Sequence, residues 1–264
     1  MLTLYHNDAS TCSQKVRFTL AEKGLDWESR TLDLRAGDQQ TPEYLALNPN
    51  GVVPTLVDDG KVIVESTVIN EYIDDAVDPG SLRPAGAIGR ARMRQWTKQL
   101  DEGVHAATGV LSTCIAFRHQ HFAVKTREEI EQQLARMPDA AKRERQTRNI
   151  FDGVESPFFP GALKRFDRLV GDMDTALESG PWLAGDTFSL ADVAYAPYAV
   201  RLDHLQLGLL WDERPHVAAW YERIRARPAF KTALVDWFNP KYLPLMAEKG
   251  QEALPRVRGI LAGG

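Results

Sequence analysis

Apolar and polar positions alternate over short distances near the start of the chain and over longer, helical distances beyond it. Leu2-Thr-Leu-Tyr5 has the period of a strand, and Asn7 to Ser10 is polar and predicts a loop. Ser10 or Thr11 is then placed to cap a helix, because a hydroxyl there accepts a free N–H of the first turn. Val16, Leu20 and Ala21 continue at helical spacing, and Gly24 is placed to end the helix in a left-handed conformation. Trp27 to Leu34 predicts a second strand, so the chain opens β-α-β. Arg35 to Gly51 is polar, with Pro42 and Pro49, and carries a short helix at most. Val53-Pro-Thr-Leu-Val57 and Lys61-Val-Ile-Val64 flank Asp58-Asp-Gly60, a strong hairpin signal. Ser66 or Thr67 can cap the helix that follows, through Val68, Ile69, Tyr72 and Ile73.

Asp78-Pro-Gly-Ser-Leu-Arg-Pro84 is rich in turn formers and predicts a domain boundary, with residues 1–80 before it and 87–264 after it. Beyond it the pattern is helical. The spacing predicts one long helix from Ala87 to about Ala116, and others over Thr126 to Ala135, Ala162 to Leu177, Ser189 to Tyr198 and His216 to Arg225. Thr126 with Glu129 matches a capping box, and Ser189 with Asp192 is a second candidate.

Composition narrows the possible functions. The chain has 264 residues, which suits two domains, and 26% of them are charged, as in an ordinary globular protein. A net charge of -4 leaves no basic footprint for nucleic acid. Lys142 to Arg148 is locally basic but predicts a solvated face. Two cysteines, Cys12 and Cys114, argue against a disulfide scaffold and for a reducing, cytoplasmic setting. The start of the chain has no signal-peptide pattern, and no run approaches the roughly 18 apolar residues that span a bilayer. His119 and His121 lie two apart and do not share a helix face, so no metal site is expected.

Three features of the first domain can carry chemistry. Ser10-Thr11-Cys12-Ser13 opens the first helix, where N–H groups and the helix dipole favour an anion and a hydroxyl can hold a thiolate. Val53-Pro54 at a strand start can expose the Val53 backbone to a peptide ligand. Glu65-Ser66 offers an acceptor for an ammonium and a hydroxyl for a carboxylate. Each feature alone is also an ordinary cap or turn.

Together, in this order and spacing, they resemble the glutathione S-transferases. Ser10 to Val16, Asn48-Pro49 before Val53-Pro54, Glu65-Ser-Thr-Val-Ile69 and Phe188-Ser-Leu-Ala-Asp192 all fall where that family has them. The resemblance implies a thioredoxin-like α/β domain, β-α-β-α-β-β-α, that binds glutathione, followed by an all-α domain for the second substrate. It implies a glutathione thiolate as nucleophile, held by Ser10, with Ser13 and Cys12 as further candidates and Thr11 beside them. It also implies Val53 and Pro54 against the cysteinyl backbone, Glu65 and Ser66 at the γ-glutamyl end, Gln39 or Gln40 at the glycyl carboxylate, and Asp101 reaching a ligand of the partner in a homodimer.

Within the family, Ser10 to Val16 resembles the zeta class, which includes maleylacetoacetate isomerases, although Thr11 and Gln14 depart from its motif. Glu65 to Tyr72, Ser81-Leu-Arg-Pro84, Met93-Arg-Gln-Trp-Thr-Lys98 with Asp101-Glu102, and Arg145-Gln-Thr-Arg-Asn149 resemble the bacterial β-etherases that cleave lignin dimers. Those enzymes carry Asn where this chain has Cys12. The resemblance thus implies an aromatic, hydrophobic electrophile, with Trp96, Phe117, Phe122, Phe158, Phe159, Tyr195 and Tyr198 available to seat it. General detoxifying conjugation or peroxidase activity, an isomerase, a disulfide reductase using Cys12, and a non-catalytic glutathione or ligand binder are the alternatives.

Overall fold

A computed structural model describes residues 1–77, 80–137 and 139–263. Strands β1 (Leu2–His6), β2 (Glu28–Thr31), β3 (Thr55–Asp58) and β4 (Lys61–Val64) form one sheet in the order β2-β1-β3-β4. β1 runs parallel to β2 and antiparallel to β3, and β3 runs antiparallel to β4. Helix α1 (Thr11–Glu22) makes the parallel crossover, α2 (Pro42–Leu47) follows β2, and α3 (Ser66–Tyr72) follows β4.

The local chemistry explains these bounds. β1 buries Leu2, Leu4 and His6 on one face, as a period of two requires. Leu2 and Leu4 pack with Val16 and Leu20 of α1, Leu56 of β3, and Ile69 and Ile73. α1 closes with Gly24 at φ 61; Leu25 N donates to Leu20 O and Gly24 N to Ala21 O, and Leu25 returns to the core. The β3–β4 turn has positive φ at Asp59 and Gly60, as a tight hairpin needs. The second strand is shorter than the predicted run from Trp27. The predicted caps Ser66 and Thr67 lie inside α3, whose cap position is Glu65.

The rest is helical: α4 (Ala87–Gln99), α5 (His105–Ser112), α6 (Arg118–Phe122), α7 (Arg127–Ala135), α8 (Ala140–Asp152), α9 (Phe159–Leu177), α10 (Leu190–His204), α11 (Pro215–Arg225), α12 (Pro228–Ala233) and α13 (Tyr242–Ala262). The predicted capping box at Thr126 forms, and at Ser189 the Asp192 half of the box forms while the hydroxyl caps the residue before Asp192. Thr126 Oγ1 accepts from Glu129 N while Glu129 accepts from Thr126 N. Ser189 N donates to Asp192 and Ala191 N to Ser189 Oγ.

The expected single helix from Ala87 to Ala116 is broken. π-helical turns occupy Leu100–Val104 and Thr113–Phe117, and Gly103 has φ 133. A side chain at Gly103 would be strained at that φ and would meet the Arg165 guanidinium at 3.1 Å. Of the expected linker, Asp78 and Pro79 lie outside the described residues.

By proximity the chain falls into two compact units, residues 1–100, 175–199 and 218–239 in one and 101–174, 200–217 and 240–264 in the other. In the first, Asp192 is fully buried and accepts from Leu183 N, Ser189 N and Oγ, and Trp220 Nε1. In the second, Ile130, Leu134 and Ile150 join α7 to α8, and Arg118 donates to the carbonyls of Ile150 and Phe151.

Candidate active site

The sheet register gathers the three motifs. Tyr5 of β1 pairs with Thr55 of β3, and Thr55 pairs with Val64 of β4. The chain therefore leaves β1 toward Ser10, enters β3 from Val53-Pro54, and leaves β4 into Glu65, all at one end of three adjacent strands. Neighbouring strands lie about 4.8 Å apart, so these segments emerge within one small region.

At the first segment, Ser10 is the N-cap of α1, and its Oγ accepts from Ser13 N at 3.2 Å. That bond uses a lone pair and leaves the Ser10 proton to donate. Ser10 and Cys12 are half-buried, whereas Thr11 and Ser13 are buried. Ser13 Oγ is engaged inward, accepting from Asn7 N at 3.2 Å. Asn7 in turn braces the loop, donating to Leu32 O and accepting from Ala9 N. Cys12 Sγ lies 3.9 Å from the Tyr198 hydroxyl, so the first turn of α1 meets the aromatic face of α10. A thiolate beside this turn would find a hydroxyl donor and the positive end of a 12-residue helix.

At the second segment the Val53–Pro54 peptide is cis, and both residues are buried. The preceding carbonyl is pinned: Val52 O accepts from Tyr44 Oη at 2.6 Å and from Asn48 Nδ2 at 2.9 Å. Both donors also meet Thr55 Oγ1. Burial pushes the Tyr44 phenol above its usual range, which keeps it a donor. Gln40 Nε2 donates to Gly51 O at 3.2 Å, and Gln39 Nε2 donates to Leu34 O at 3.2 Å. Gln40 packs so closely that a Cβ on Gly51 would lie 2.5 Å from its amide nitrogen.

At the third segment Glu65 is exposed and has φ 69, ψ 110. A non-glycine residue held at positive φ costs about 1–3 kcal/mol. Glu65 makes no capping bond to α3, so its carboxylate is not spent on the helix. Ser66 is buried beside it, and the fully buried Lys15 donates to Thr67 Oγ1 at 3.2 Å. Asp101 is exposed and belongs to the second compact unit.

The aromatic candidates divide. Tyr195 donates to Trp96 O, and Trp96 Nε1 donates to Leu183 O, so both rings are structural posts. Phe159 is core, while Phe122 is exposed against Phe151. Phe158 and Phe117 are half-buried, the latter under the Arg201 guanidinium. The parts the motifs did not reveal are Asn7, Tyr44 and Asn48. Each works by bracing backbone, and Asn48 was visible only as the neighbour of Pro49.

Among the described residues, no group of three or more His, Cys, Asp or Glu is placed to hold a metal ion. No helix among them is long and apolar enough to cross a membrane.

The sheet, the helical remainder and these motifs define a glutathione transferase, and the chain belongs to the glutathione S-transferase family. Residues 9–76 match the glutathione S-transferase N-terminal domain and residues 127–223 the C-terminal domain. Protein LigF of Sphingobium sp. (strain NBRC 103272 / SYK-6) is 32% identical over 87% of this chain and 91% of its own. The crystal structure of beta-etherase LigF from Sphingobium sp. strain SYK-6 superposes with a TM-score of 0.77 at 30% identity, covering 89% of this chain and 99% of LigF. Glutathione S-transferase 3 of Zea mays is 32% identical over 87% and 91% of the two chains. Tetrachloro-P-hydroquinone reductive dehalogenase of Sphingobium chlorophenolicum is 25% identical over 89% and 96%.

Proposed function

We propose that this transferase cleaves β-aryl ethers of lignin-derived dimers. The observation that carries the reading is the likeness to beta-etherase LigF along both halves of the chain, joined to a Ser10 hydroxyl that keeps its proton for a thiolate. Residues 1–80 would bind glutathione and residues 87–264 the aromatic electrophile. Val53 and Pro54 would meet the cysteinyl backbone, Glu65 the γ-glutamyl ammonium and Ser66 its carboxylate. Gln39, Gln40 or both would reach the glycyl carboxylate. The protein would work in the cytoplasm as a homodimer, with Asp101 turned to the partner's ligand.

The glutathione sulfur attacks the carbon bearing the ether oxygen. A C–S bond forms as the C–O bond breaks, the electron pair leaves on a phenolate, and solvent protonates it. The protein supplies an ionised thiol and its orientation. Incubation with glutathione and a β-aryl ether ketone should release one phenol for each thioether formed. Conjugation of a simple electrophile without phenol release would reject the etherase reading and leave a general detoxifying transferase.

A second reading is favoured by Cys12, half-buried in the first turn with its sulfur 3.9 Å from the Tyr198 hydroxyl. There, the Cys12 thiolate would open a substrate disulfide to a mixed disulfide with release of one thiol; one glutathione would displace the second thiol, and a second glutathione would restore Cys12 and leave as glutathione disulfide. Disulfide reduction by the wild type that is lost in Cys12→Ala supports the second reading; that activity intact in Cys12→Ala, or ether cleavage with no disulfide reduction in the wild type, counts against it.

A further inference from the structure

A buried charge grips the loop before Ser10 from behind. Arg17 lies two helical turns beyond Ser10 on the same face of α1, and helical side chains lean toward the N-terminus. Its side chain is 1% exposed. Nη1 donates to Asn7 O at 3.0 Å and to His6 Nδ1 at 3.1 Å, and Nη2 donates to Asp8 O at 3.4 Å. Nε donates to Ala233 O at 2.9 Å, at the end of α12, and the guanidinium lies 5.0 Å from the Trp237 ring centre. The same returning segment places Asn239 Nδ2 2.8 Å from Asp8 Oδ2 and stacks Trp237 on Trp27.

The charged and titratable groups facing Arg17 are His6 on β1 and Asp8 in the loop. Arginine only donates, so His6 Nδ1 accepts and His6 Nε2 carries the proton toward Ser29 Oγ at 2.8 Å. His6 is thus neutral and adds no competing charge. Burying a guanidinium is costly, and an apolar side chain of similar length would fill the space without that cost. Two of its three carbonyl contacts fall on the residues that lead into the Ser10 cap, where the cost is matched by a defined backbone.

We propose that Arg17 is a positioning residue for the thiol chemistry, fixing the Asn7 and Asp8 carbonyls, and through them the Ser10 hydroxyl, while keeping positive charge behind the loop. This rests on the glutathione reading above. The test is a spectroscopic pH titration of the bound glutathione thiol in the wild type, Arg17→Met and Arg17→Lys, with kcat and KM measured beside it. Arg17→Met should raise the bound-thiol pKa by about one unit, a tenfold loss of thiolate below the pKa. kcat should fall with it, while KM for glutathione changes less. Arg17→Lys keeps the charge without the fork, and should recover most of the pKa while kcat stays low.

A folded Arg17→Met variant with the wild-type titration and kcat overturns the proposal. If Arg17→Met does not fold, a wild-type titration and kcat in Arg17→Lys overturn it instead. A wild type that binds glutathione without lowering its pKa removes the glutathione reading and this proposal together.

Discussion

Ser10 has two tasks that different measurements separate. As the N-cap it satisfies Ser13 N, and under the proposed function it would donate its proton to the sulfur. Ser10→Ala should cost about 1 kcal/mol of stability. It should lower kcat/KM about 10- to 100-fold, the worth of a hydrogen bond to a charged group. Ser10→Asn, which also caps well, should restore stability more fully than rate; equal recovery of both would reduce Ser10 to a cap.

Buried His6 and half-buried His204 set the acid response. Burial, then Arg17, pulls His6 down to about 3, and burial, then Arg201, pulls His204 down to about 4. Both folded values lie below the unfolded value near 6.5, so the unfolded state binds protons first as pH falls. Stability should drop progressively from about pH 6.5 toward 4. Asp192 works the other way, because burial pushes it up to about 6 and it favours the fold below about pH 4. In His6→Gln, the decline of Tm between pH 6.5 and 4 should be shallower than in the wild type; an unchanged slope would remove His6 from this account.

At the scale of elements, legibility followed the range of the interactions. The capping boxes at Thr126 and Ser189, the Asp59-Gly60 hairpin and the Gly24 stop involve residues within a few positions, and their side chains announce them. The break in the long helix is carried by Gly103, which a helix tolerates, and by π turns that leave no mark in the apolar period. Helix α13 was hidden by Gly250 and Pro255. Gly250 is required by packing, since a Cβ there would lie 2.2 Å from Leu205 O. The local half of the Ser189–Asp192 box was visible, but not the partners Leu183 and Trp220 that make Asp192 a core junction. Asp192→Ala strands several buried donors and should cost at least about 3 kcal/mol, read as a lower urea midpoint at unchanged m. A loss under 1 kcal/mol would mean those donors find other partners.

For the whole molecule, the sequence marked the three motifs, and the Tyr5–Thr55–Val64 register explains how segments so far apart come to one end of the sheet. What it did not mark is bracing over long separations: Tyr44 and Asn48 on Val52, and Arg17 tied to residue 233. The second substrate is the least legible part, because Trp96, Tyr195 and Phe159 proved to be posts and core, while Tyr198 sits beside Cys12. The central claim is that the Ser10 turn holds glutathione as a thiolate. Titration of bound glutathione by thiolate absorbance tests it most directly. The wild type should show a pKa at least about one unit below the usual thiol value near 8.5, returning toward it in Ser10→Ala. Glutathione that binds with its thiol pKa unmoved, or a Ser10→Ala titration identical to the wild type's, would contradict it.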